Sequence, residues 1–216
     1  MSRVVINQDL LAGGLQRGIG HIEGWSGYLV VPLRYRLRVP VCALASLAVQ
    51  EHLLTKGVKT SVLISRPELP FEDEDKVEHI VAVAETDEGE PTIIDASFSQ
   101  LLGLVGMGWS YDVVAKTSTF PAERVVAFKL SETAQFVGWL TEQAVAFQQV
   151  NTHPINGYGI DAGKGPLADA SAKEIRSAYE QIWNPNNFSD WPAPAGNLEA
   201  GKKVASYISA NAIEIC

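Results

Sequence analysis

Cys42, His79 and Asp95 follow one another along the chain at separations of 37 and 16 residues. These are the residue types of a thiol nucleophile, the base that takes its proton and the carboxylate that orients the base. A free cysteine has a pKa of about 8.5, so little of it is thiolate at neutral pH, and a helix N-terminus or a neighbouring imidazolium lowers that value. Pro40 has a fixed φ suited to a first helical position, and the apolar run 43–49 follows it, so Cys42 is expected in the first turn of a buried helix. In the chemistry this implies, His79 accepts the thiol proton and later donates it to the leaving group. Asp95 fixes the imidazole tautomer and supports its positive charge. The backbone N–H of Cys42 supplies one oxyanion donor, and Gln16, Trp25 and Tyr35 are the candidates for a second.

Those side chains need elements to hold them. The helix should end at Lys56 and Gly57, a cation and a glycine that suit a C-terminal cap. Only Ser46 is polar within residues 43–49, so the first half of this helix is enclosed on most sides and belongs at the centre of the fold. Val58, Thr60, Val62 and Ile64 alternate with Lys59, Ser61 and Ser65, which is strand periodicity. Residues 66–76 hold two prolines and the acidic run Glu72, Asp73, Glu74, Asp75, and read as a loop. Val77, His79, Val81 and Val83 share one face of the next strand, and Ile93 and Asp95 share a face of the one after. If Glu85, Thr86, Asp87, Glu88 and Gly89 close that hairpin, His79 lies directly across from Asp95, with about 5 Å between Cβ atoms.

Residues 124–130 read as a further strand and residues 131–150 as a long helix. Shorter helices are expected at 171–183 and 202–212, separated by the Asn- and Pro-rich stretch 184–196. Near the N-terminus, residues 28–33 are a strand candidate. The expected organisation is a single domain over residues 1–216, with a catalytic core at 40–130 and a mainly helical C-terminal subregion at 131–216.

Residues 40–100 resemble the transglutaminase-like branch of the papain-like cysteine enzymes. The resemblance rests on Cys42-Ala43-Leu44-Ala45-Ser46 opening a helix that leads to Gly57-Val58-Lys59-Thr60, on His79-Ile80-Val81-Ala82-Val83, and on Ile94-Asp95-Ala96-Ser97-Phe98-Ser99-Gln100. In that family a cysteine starts the central helix, a histidine opens a strand, and an aspartate ends the next strand before a small hydroxyl residue. The implied fold is α+β, papain-like or transglutaminase-like, with a central helix packed on an antiparallel sheet and a helical C-terminal region. The implied activity is acyl transfer through a thioester on Cys42: hydrolysis of a peptide or isopeptide bond, deamidation of glutamine, or amide formation with an amine. The substrate would be a peptide, a protein or another amide, and no metal or organic cofactor is needed. Ala43 and Ile80 stand where the family often has aromatic residues. Arylamine N-acetyltransferases share the order of the triad, but Arg38-Val39-Pro40-Val41 replaces the Arg-Gly-Gly run that precedes their cysteine. Two alternatives stay open beside the acyl-transfer reading: a non-catalytic binding or scaffold protein that keeps the fold, and a CoA-dependent acetyltransferase.

Composition narrows the partners. The chain has 216 residues, 46% of them hydrophobic, enough to bury a sizeable core, and a formal net charge of −8. No basic stripe is present for a phosphate backbone, so nucleic acid is not an expected partner. No run reaches the roughly 18 apolar residues of a membrane span, and Asn7, Gln8 and Asp9 do not suit a signal peptide, so no membrane partner is expected and the expectation is a cytoplasmic protein. Cys42 and Cys216 sit in such unlike positions that free thiols are expected over a disulfide. The absence of a close-spaced pair such as CxxC or HExxH argues against a metal centre. Gly163-Lys164-Gly165 lacks the Ser or Thr that a phosphate-binding loop has after its lysine, and reads as an ordinary loop.

Overall fold

A computed structural model describes residues 41–55, 57–69, 77–85, 89–106, 126–150, 165–193, 195, 198–199 and 201–202. The strand candidate at 28–33, the acidic run at 72–75, the loop around 163–164, and nearly all of the helix expected at 202–212 lie outside the described residues. Gln16, Trp25, Tyr35 and Cys216 do so as well.

The chain is α+β. Helix α1 is Val41–Thr55, followed by strands β1 (Thr60–Ser65), β2 (His79–Ala84) and β3 (Thr92–Asp95). A 3-10 helix at Phe98–Leu104 leads away from β3. After it come β4 (Val126–Lys129), α2 (Thr133–Val150), α3 (Ala172–Ile182) and β5 (Phe188–Asp190). The strands form one antiparallel sheet in the order β4-β3-β2-β1-β5. The stretch 184–196, expected only to separate two helices, therefore returns a strand to the sheet: Phe188, Ser189 and Asp190 pair with Ser65, Ile64 and Leu63 of β1. Two Asn and a Pro masked this strand in the sequence, because they form the tight 3-10 turn Pro185–Asn187 just before it.

Local signals explain where the helices stop and start. Gly57 has φ +77°, Val58 N–H donates to Leu53 O and Gly57 N–H to Leu54 O, each at 3.0 Å. That is the Schellman arrangement, which needs a left-handed residue after the helix. At α3, Ser171 Oγ accepts from Glu174 N–H while Glu174 Oε2 accepts from Ser171 N–H, a reciprocal capping box. Ile175, Ala178, Tyr179 and Ile182 recur at helical spacing and form its buried face.

The sheet is a two-faced wall. Every residue of β2 is buried, because both of its faces are covered. Ile80, Ala82 and Ala84 of β2, with Ile64, Val62 and Ile94, pack against Cys42, Ala43, Leu47, Ala48, Val49 and Leu53 of α1. Val81 and Val83, with Ile93 and Phe128, face the other way into a larger core that includes Phe98, Phe136, Leu140, Phe147, Tyr179 and Trp183. No described helix is long and apolar enough to cross a membrane.

Candidate active site

His79 is the first residue of β2 and Asp95 the last of β3. The ladder between them pairs Ala84 with Thr92, Val83 with Ile93 and Ala82 with Ile94. Continued by one rung, that offset puts Val81, not His79, across from Asp95. The expected direct opposition is therefore corrected by two residues. The reason is the longer link: β2 ends at Ala84 and β3 begins only at Thr92. A two-residue shift returns every side chain to the same face. His79 and Asp95 thus meet as diagonal neighbours, with His79 Nε2–H donating to Asp95 Oδ2 at 2.7 Å.

Asp95 is held from its other side by the turn that ends β3. Its Oδ1 accepts from Ser97 N–H at 2.7 Å and from Ser97 Oγ–H at 2.9 Å. Both carboxylate oxygens are thereby satisfied, which a fully buried carboxylate requires. Ser65 stands directly opposite His79 on β1, and its hydroxyl donates to Ile182 O at 2.6 Å. Trp183 follows Ile182 and sets its ring edge-on to the imidazole, with 5.3 Å between centroids and 74° between planes. Among the described residues the Trp183 indole N–H has no hydrogen-bond partner, so its contribution to His79 is ring packing.

Cys42 is the second residue of α1 and arrives from the opposite layer. It nonetheless acts on His79. Burial alone would lower the imidazole pKa; the Asp95 charge and hydrogen bond, joined by a hydrogen bond and charge from Cys42, outweigh it and raise the pKa to about 10. With Nε2 bonded to Asp95, Nδ1 is the ring nitrogen left for the thiol. The position of His79 at the end of a strand makes this contact between layers possible, since nothing of β2 lies beyond it.

The structure brings together the three residues singled out in the sequence. The described residues hold no group of three or more His, Cys, Asp and Glu arranged for a metal ion. Sequence reasoning did not assign roles to Ser46, Ser65 or Trp183. Ser46 had a visible signal, being the one polar residue in an apolar run, whereas Ser65 and Trp183 reach the site through contacts that no local pattern encodes. The site is closed: Cys42 is 3% exposed, His79 1% and Asp95 0%. The chain matches no family model, no curated protein and no solved structure.

Proposed function

We propose that Cys42, His79 and Asp95 form a thiol–imidazole–carboxylate triad that performs acyl transfer at an amide bond, in a transglutaminase-like or papain-like arrangement. The observation that carries this reading is that one buried imidazole is engaged by Asp95 through Nε2 and by Cys42 as well. His79, carrying the proton, is poised to donate it. Cys42 attacks the carbonyl carbon of the amide as the thiolate whose proton His79 holds, His79 Nδ1–H protonates the departing amine, and a thioester remains on Cys42. Water or a second amine then attacks that thioester and gives its proton to His79, which restores the thiol pair as the acyl group leaves. The Cys42 N–H lies in the first turn of α1, where backbone donors have no intrahelical partner, and so can serve the oxyanion. The substrate is a peptide, protein or other amide, the working location the cytoplasm, and the chemistry needs no metal or cofactor.

The burial of all three side chains favours a second reading, a scaffold that keeps the pair as an internal ion pair. Alkylation of Cys42 by iodoacetamide, followed by peptide mass spectrometry with Cys216 as reference, separates the two. The enzyme reading expects Cys42 to react faster than Cys216 at neutral pH and to lose that advantage in His79→Ala. A Cys42 that is equally inert in both proteins supports the scaffold.

A further inference from the structure

Ser46 is 1% exposed in a helix segment whose other buried residues are Ala43, Ala45, Leu47, Ala48 and Val49. A hydroxyl taken into such surroundings is costly unless it is hydrogen-bonded. A helical serine commonly satisfies itself on the carbonyl four residues back. Ser46 instead donates across the layer boundary to Ile80 O of β2, at 2.8 Å. Ile80 is the residue next to His79. Cys42 lies four residues before Ser46, on the same helix face and about 6 Å nearer the N-terminus. One hydrogen bond thus ties α1 to β2 a single residue from the imidazole and one helical turn from the thiol.

The surroundings make that tie the element that sets depth. The β2–β3 ladder runs only from Ala84 to Ala82, so His79 and Ile80 at the start of β2 are paired with β1 alone. Under α1 the strand offers Ile80, Ala82 and Ala84, two of the three being alanines with no long side chain to key the helix in register. A shift of one helical residue is about 1.5 Å along the axis, and a displacement near 1 Å can cost about 100-fold in a reaction that depends on two aligned groups.

We propose that Ser46 is a positioning residue: its hydroxyl, bonded to the Ile80 carbonyl, fixes how far α1 sits along β2 and thereby the contact between Cys42 and His79. The inference rests on the triad reading above, and the experiment keeps the two apart. Ser46→Thr and Ser46→Val are nearly isosteric and differ in the hydroxyl. Each is compared with wild type and His79→Ala by the rate of Cys42 alkylation and by the imidazole 15N shifts of His79 across pH, with Ala48→Gly as a variant that weakens α1 and leaves the hydroxyl alone. Expected are near wild-type behaviour for Ser46→Thr and Ala48→Gly, and for Ser46→Val an alkylation rate at least about tenfold lower with a His79 titration moved toward that of Cys42→Ala. If Ser46→Val fails to fold, Ser46→Ala carries the same comparison. Wild-type rate and titration in a folded Ser46→Val, with His79→Ala still impaired, overturn the role of Ser46 and leave the triad standing. Alkylation unaffected by His79→Ala, with a His79 titration indifferent to Cys42→Ala, removes the triad reading and the positioning role together.

Discussion

The two faces of the sheet are built on different principles. Against α1 the sheet presents Ile80, Ala82, Ala84, Ile64 and Val62, and the helix answers with Ala43, Leu47, Ala48, Val49 and Leu53, so the buried side chains where the layers meet are aliphatic, several of them alanines. On the other face Phe98, Phe128, Phe136, Phe147, Tyr179 and Trp183 make a deep aromatic core, with Phe128 stacked on Phe136 at 4.2 Å. Among the described residues most buried polar side chains gather where the two layers meet. Ser46 bonds Ile80 O, Ser65 pairs with His79 across the sheet, and Ser97 holds the Asp95 carboxylate that holds His79, whereas Thr141 satisfies itself on Val137 O within α2. The thin layer brings a helix terminus close to the sheet, and the thick layer encloses the imidazole that the terminus meets. The difference teaches that a buried ion pair is tolerated where every lone pair and proton has a partner.

The largest effect is expected from removing one member of that pair. Asp95→Ala leaves His79 without its counter-charge and Ser97 without its acceptor, and should destabilise the chain by about 3–5 kcal/mol in chemical denaturation at pH 7. The same pair makes wild-type stability depend on pH with a definite sign. The folded protein holds the His79 proton up to about pH 10, whereas an unfolded chain releases it near 6.5. The stabilisation is therefore complete below about pH 6.5 and lost as pH rises through about 10, on the order of a few kcal/mol in all. Asp95→Asn should flatten that decline; a slope unchanged by the substitution would assign it to another group.

Trp183→Ala tests the thick layer. The side chain is fully buried against His79, Phe128, Phe136 and Phe188, and its loss should cost about 3–5 kcal/mol by thermal or urea unfolding. The thin layer should fail in the opposite way, by overfilling. Ala82→Leu inserts a branched side chain where α1 rests on β2, with an expected cost of about 1–3 kcal/mol and a loss of Cys42 reactivity as the helix lifts. A stable, fully reactive Ala82→Leu would mean that the two layers do not differ as described. The smallest effect belongs to a position outside both: Ser171→Ala removes the cap of α3 and should cost about 1 kcal/mol, with Cys42 alkylation unmoved.

Much of this arrangement was legible in the sequence because it is written in short-range patterns. Pro40, the apolar run and Gly57 bounded α1 to within two residues. Period-two alternation placed Val81 and Val83 on one face, and that placement survived an error in the hairpin register, because a shift of two residues preserves the face. The length of the β2–β3 link was not read correctly, although Pro91, with no N–H to give the ladder, stands just before Thr92, where β3 begins. Neither was β5, a three-residue strand that exists only because the edge of β1 is there to pair with it.

The sequence by itself determined the residue types, their order, the helix that presents Cys42 and the faces on which His79 and Asp95 lie, because helix caps and strand alternation act over a turn or a rung. Tertiary structure alone decided that Cys42 reaches His79 from the opposite layer, that Ser46 anchors α1 at Ile80 and that Trp183 closes over the imidazole. Those contacts join residues from 34 to more than 100 positions apart. They depend on how a helix seats against a sheet, a balance struck by side chains of many elements at once and carried by no local pattern.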